Sequence, residues 1–281
     1  MTSLLLALTS AVAYRVSDFL GGFASRGVAA LRVILVSYPV SAVVIAVIAP
    51  LAGGSPSGSS LLWGAASGAV MAVAMWWFYL ALAEGPMSIV SPLTAVLVAG
   101  VPVAVGLALG ERPSMVSGVG VLLAIVAIVL VSRESAPARD GRRFTRRVAL
   151  LTLGAGTCFA LSFVFTDRID SASGLWPLVA ARVTASALVL AGAVLVRPTG
   201  VLRGRMLLLV VGIGLLDVVA NVTMLSAFRG GMLSIVSVLI ALYPAVTVAL
   251  AVVVIRERIG IGQAAGFVLA AGAVTLIAVA S

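Results

Sequence analysis

Asp217 stands about eleven residues into an otherwise apolar stretch of chain. A carboxylate at that depth needs either a charged partner or a polar cavity to face. Two roles fit: locking its helix to an arginine elsewhere, or binding a solute and exchanging protons with it. Asn221, one helical turn on, shares its face and can hydrogen-bond the same ligand. Arg15 and Asp18 form a second constellation, three residues apart in the first apolar run. Paired with each other, they lower the cost of burying both charges; opened to a cavity, Arg15 offers a planar fork to a carboxylate or phosphate. Trp76, flanked by Trp77 and Tyr79, is either an interface anchor or a stacking surface for a solute. Ser91, Thr94, Ser237 and Thr247 supply hydroxyls that line a cavity or bond back to their own helices, and Tyr243 adds a phenol.

What is missing narrows the chemistry. There is no His, a single Cys158 and no Lys, all 18 basic residues being Arg. Metal and Ser-His-Asp chemistry are therefore not expected, a phosphate-cradling Gly-Lys-Ser/Thr loop does not occur, and no cofactor is expected. Asp217 with Asp18 is the sole candidate carboxylate pair for an enzyme, which leaves polar solute binding as the stronger reading.

The elements that must position these residues are apolar throughout. Hydrophobic residues make up 62% of the 281 and charged residues 10%, with a mean hydropathy of +1.26. That is more apolar side chain than a water-soluble core of this size can bury. Ten stretches are each long enough to cross a bilayer as a helix: 4–22, 28–50, 61–83, 86–109, 115–132, 148–166, 175–196, 206–228, 232–255 and 260–280. The first could pass for a signal peptide, but it has no basic leader and its apolar pattern runs on to Phe23, so it reads as a membrane helix. Pro92 and Pro102 in the fourth stretch, and Pro244 in the ninth, remove backbone hydrogen bonds and predict kinks at which a gate can bend.

Sliding the chain by 146 positions aligns Ser88-Ile89-Val90-Ser91 with Ser234-Ile235-Val236-Ser237, and Glu111-Arg112 with Glu257-Arg258. Gly120, Leu123, Ala124, Ala127 and Leu130 then meet Gly266, Leu269, Ala270, Ala273 and Leu276. Two units follow, 1–132 and 148–281, joined by a basic linker at 133–147. Five crossings per unit is an odd number, so the second unit must enter the membrane inverted, the arrangement that serves alternating access. Both Glu-Arg pairs sit just past helix ends and read as boundary salt bridges or caps. The pairs Gly120/Ala124 and Gly266/Ala270 permit close packing of the fifth and tenth helices, within a monomer or across a homodimer.

The net charge of +9 lies mostly on one face. Twelve arginines fall on the linker side and three, Arg112, Arg168 and Arg229, on the other, which predicts a cytoplasmic linker and outside termini. This is a solvated topology signal, with no nucleic-acid partner implied. Arg32 and Arg182, nearer helix ends, read as side chains that snorkel toward the headgroups.

Arg32 early in the second helix, Met87-Ser88-Ile89-Val90-Ser91-Pro92, Gly110-Glu111-Arg112 and Gly120, repeated as Arg182, Ser234 to Ser237, Tyr243-Pro244, Glu257-Arg258 and Gly266, together resemble the EamA domain of the drug/metabolite transporter superfamily. The resemblance covers the whole chain. It implies an all-α, ten-helix multi-pass protein of the cell (inner) membrane that carries small polar metabolites, such as amino acids or related carboxylates, as an exporter, with or without proton coupling. A lipid-linked sugar flippase is the alternative within that superfamily. The chain departs from the usual picture, in which both termini are cytoplasmic, and its first helix lacks the central Glu of the superfamily's smallest branch.

Overall fold

The computed structural model describes residues 1–24, 28–133, 143–196, 202–243, 245–246 and 260–280. Among them are ten α-helices and no strand: α1 (Thr2–Ala24), α2 (Ala30–Ile48), α3 (Gly58–Glu84), α4 (Met87–Ala108), α5 (Met115–Arg133), α6 (Arg146–Asp167), α7 (Trp176–Val196), α8 (Arg205–Gly230), α9 (Leu233–Ala241) and α10 (Ile261–Ala280). Nine of the ten are long and apolar enough to cross a membrane. Helix is the form such sequence must take, since a backbone in hydrocarbon has to satisfy its own hydrogen bonds. Three starts are capped by the side chain just before them: Ser57 Oγ accepts from the Ser60 N–H at 3.2 Å, Ser114 Oγ from the Ser117 N–H at 3.2 Å, and Thr145 Oγ1 from the Val148 N–H at 3.3 Å.

Observed helix bounds differ from the predicted stretches by a few residues, with α6 starting at Arg146, inside the expected linker. The ninth stretch is helical over Leu233–Ala241; Pro244, Thr247 and the Glu257-Arg258 pair lie outside the described residues. Pro92 and Pro102 both sit inside α4, which runs through them without interruption.

Packing sorts the helices into neighbours far apart in sequence. Helix α1 packs on α8 and α9, α3 on α6 and α7, α2 on α7 and α8, α4 on α6 and α9, and α5 on α10. The α5/α10 contact uses the small residues noted in the sequence: a Cβ on Gly120 would meet the Ile277 side chain at 2.8 Å, and one on Gly266 the Val131 side chain at 2.6 Å. The largest apolar core joins α1, α4, α5, α6, α8, α9 and α10 through residues such as Ala99, Ile128, Phe163, Val236, Leu239 and Ile277.

Glu111 is a cap, as its position past α4 predicted. Its carboxylate accepts from the backbone N–H groups of Leu233 and Ser234, the latter at 3.0 Å, at the start of α9. Those N–H groups have no intrahelical acceptor, and the positive end of the helix dipole favours the anion. Gly106 leaves the room, since a Cβ there would stand 2.3 Å from Glu111 Oε2. We expect Glu111→Ala to cost about 1–2 kcal/mol, read as a lower thermal midpoint of the purified protein in detergent. An unchanged midpoint would show the cap to be energetically idle.

At one end of the bundle the loop after α2 meets the loop between α6 and α7. Ser55 N–H donates to Ala172 O at 2.9 Å, and Ser57 N–H donates to Ser173 Oγ at 3.4 Å. Arg229, at the end of α8, donates from Nη2 to Gly174 O. Gly54 and Gly174 have φ of +91° and +55°, and a Cβ on either would overlap the other's loop backbone at 2.5 and 2.0 Å. Glycine is required at both for conformation and for contact.

Candidate functional site

The sequence left open whether Asp217 has an arginine partner. It has one: Arg182 Nη2 lies 3.0 Å from Asp217 Oδ1, in a pair joining α7 to α8 with both side chains almost entirely buried. Arg182 is therefore no snorkelling side chain, and that expectation is corrected. Six residues into α7, it finds a carboxylate in the protein interior, which replaces the headgroup water it would otherwise seek. Ser41 of α2 donates to Asp217 Oδ2 at 2.6 Å, and Asn221 Nδ2 donates to Asp217 Oδ1 at 3.1 Å and to its backbone carbonyl at 2.7 Å. The Tyr14 hydroxyl of α1 donates to Asn221 Oδ1 at 3.0 Å. Three helices thus meet at one aspartate, and α1 joins them through Asn221. The network has a loose end: Arg182 Nε is buried without an acceptor among the described residues.

Arg15 and Asp18 are also paired, Nη1 to Oδ2, at 3.2 Å. Their surroundings differ. The Arg15 guanidinium carbon lies 3.6 Å from the centre of the Tyr243 ring, a cation–π contact that holds its plane, while Asp18 is 57% exposed. Arg15 follows Tyr14, whose hydroxyl reaches Asn221 beside Asp217, so the two pairs sit on adjoining helices and form one charged centre.

Three of the chain's four tyrosines gather there. Tyr14 binds Asn221, Tyr38 lies 5.1 Å from the Arg182 guanidinium carbon and is hydrogen-bonded to that side chain, and Tyr243 stacks on Arg15. Sequence reading singled out Tyr243 but missed the roles of Tyr14, Tyr38 and Ser41. The signal was present: few polar groups interrupt these apolar helices, and Tyr38 and Ser41 stand three residues apart on one face.

The other expected residues lie elsewhere. Trp76 is 42% exposed and its ring lies against Gly192 of α7, while Trp77 covers Gly154 of α6. Thr94 Oγ1 donates to Val90 O at 2.8 Å and Ser237 Oγ to Leu233 O, each back into its own helix. Ser91 is half-buried on α4. A small cavity beside Arg182 and Asn221, lined also by Ser67, Thr166 and Met224, has about 10 Å³ available to solvent, room for about one water. On that side the centre is closed.

Polytopic helices around a polar, ion-paired interior define a multi-pass membrane protein. Residues 146–279 match the model of the EamA-like transporter family. Over those residues the chain is similar to the EamA-like transporter family, part of the drug/metabolite transporter superfamily, a family of transporters and not of enzymes. No curated protein matches it. Among solved structures it is similar to one described as a crystal structure of a protein, with a TM-score of 0.78 and 19% identity, over 99% of this chain and 96% of that one. At that identity the likeness speaks for the fold alone.

Proposed function

We propose that this protein is a secondary carrier that exports small polar metabolites, amino acids or related carboxylates, by alternating access around the Arg15/Asp18 and Arg182/Asp217 centre. The observation that carries it is a buried ion pair, Arg182/Asp217, with a second pair, Arg15/Asp18, and three tyrosines about it, supplied by helices from both halves of the sequence. Buried charge is costly in a membrane, and a binding site is its best-attested use. Inverted halves are supported by the exchange of neighbours: α1 on α8 is mirrored by α6 on α3, α2 on α8 by α7 on α3, and α4 on α6 by α9 on α1. We read the linker side as cytoplasmic and the membrane as the inner one, from the arginine distribution.

With no nucleotide-binding loop in the sequence, transport draws on gradients. Coupling to protons would run through Asp217, because one carboxylate there ties α2, α7 and α8 together and a change in its charge would release all three. The test is solute flux in proteoliposomes loaded with mixed amino acids and short carboxylic acids. We expect at least one solute to leave faster than from protein-free vesicles, with Arg15→Gln slowing it at least tenfold. No solute moving above the protein-free rate would sink the carrier reading.

A further inference from the structure

We propose that the loop after α2 and the turn before α7 are a latch over an apolar plug, that the bundle rests with this end shut, and that solute crosses only when the latch parts. This rests on the carrier reading above and adds to it which end is sealed and by what. Helix α6 runs from the linker to the turn, so the latch lies at the end of the bundle away from the linker.

Hydrogen bonds from both loops and two helices fasten it. Besides the bonds from the Ser55 N–H to Ala172 O and from the Ser57 N–H to Ser173 Oγ, the Ser57 and Ser173 hydroxyls lie 3.4 Å apart. The Asp170 N–H donates to Ser60 Oγ of α3 at 3.2 Å, and Arg229 of α8 donates to Gly174 O. Beneath the latch, Ile45 and Ala49 of α2, Ile169 and Leu175 of the turn, Leu178 of α7 and Leu225 of α8 pack together, all buried. Ile45 is one helical turn beyond Ser41 and Leu178 one turn before Arg182, so this apolar layer separates the latch from the Asp217 network. Ile169 and Leu178 also line the small cavity beside Arg182, which leaves room for about one water there. A hydrophobic constriction of this kind excludes water until its walls separate.

The fastening belongs to one end only. At the 146-residue offset Ser57, Ser173, Gly174 and Arg229 fall on Arg203, Gly27, Val28 and Ala83, so the residues that make the latch do not recur in the other half. Val28 stands where Gly174 takes a φ of +55°, a conformation that a β-branched residue avoids. The plug is not repeated either: Ile169 and Leu225 are 5% and 0% exposed, whereas their counterparts Phe23 and Tyr79 are 57% and 44% exposed. Two halves packed alike would bury these positions alike. A repeat chain that carries its seal at one end has a preferred resting state, and binding or a gradient must supply the energy to leave it.

The test uses the full chain in proteoliposomes, with Cys158→Ser as background. Ser57→Cys with Ser173→Cys should bridge on oxidation, because the hydroxyls they replace are 3.4 Å apart. Bridging should slow efflux of the mixed amino acids and short carboxylic acids at least tenfold, with recovery on reduction. Undiminished efflux from the bridged protein would show that these loops need not part, and failure to bridge would show that they do not meet. A second readout needs no transport. In detergent, Leu178→Cys should react slowly with a water-soluble maleimide, and adding Arg229→Gln should speed the reaction at least tenfold; equal rates would overturn the latch. If the carrier reading alone is wrong, no solute leaves with any variant while the difference in labelling persists.

Discussion

Replacing Asp217 with Ala should unfold this protein more readily than any other single change in the polar centre, by about 3–5 kcal/mol. The reason is what the substitution leaves behind. Arg182 is only 4% exposed and its Nη2 has Asp217 as its ion-pair partner, so truncation strands a positive charge inside the bundle. Ser41 and Asn221 lose acceptors at the same stroke. The paired replacement Asp217→Leu with Arg182→Met should recover most of that loss, because an apolar pair of similar volume has no desolvation cost to offset. Midpoints of thermal unfolding in detergent, measured for the single and the double variant, check both parts. A double variant as unstable as Asp217→Ala would mean that shape, and not stranded charge, sets the penalty. Solute flux separates stability from use: the double variant should be folded and inactive, since the joint between α2, α7 and α8 would no longer have two arrangements.

The second large effect is expected at Gly68. A Cβ there would stand 2.0 Å from Ala181 O, and one on Gly64 would stand 2.1 Å from Pro177 O. Neither obstacle is a side chain that can turn away; both are backbone of α7, one turn apart. Gly64 and Gly68 therefore form a flat strip along which α3 and α7 come into backbone contact. Gly68→Ala has to push the helices apart, at the upper end of the usual overpacking cost of about 3 kcal/mol. Ala181 adjoins Arg182, so the displacement is delivered straight to the ion pair. The expected outcome is a lowered unfolding midpoint together with loss of flux, and Gly100→Ala, where nothing lies within 4 Å of the added carbon, is the matched control. A Gly68→Ala protein as stable as this control would refute the contact.

Helix positions were readable in the sequence because long apolar runs have few alternatives to membrane helices, as the match between stretches 61–83 or 206–228 and α3 or α8 attests. Rotations about the helix axes were not, because α8 between its terminal arginines is apolar on every side apart from Asp217, Asn221 and a few hydroxyls. Asp217 could be named from depth alone, whereas its partner could not. Arg182 was placed by its distance from a helix end, and that measure ignores which neighbour the helix will face. The Gly64/Gly68 strip shares the spacing recognised at Gly120/Ala124 and went unremarked, since spacing does not say which small residues meet another backbone. Glu111 was legible as a boundary group; that it reaches across to α9 required tertiary structure.

The junction between the loop after α2 and the loop before α7 is made partly from main chain, with Ser55 bonded to Ala172 and two glycines pressed together, and partly from the side chains of Ser57, Ser173 and Arg229. Amide groups are common to every residue, so a position that contributes only its main chain there is indifferent to which side chain it carries. Selection can therefore rewrite such positions to suit a new environment without loosening the junction, provided Gly54, Gly174 and those three side chains are kept. A fitness landscape over this region should look like a plateau pierced by a few pits.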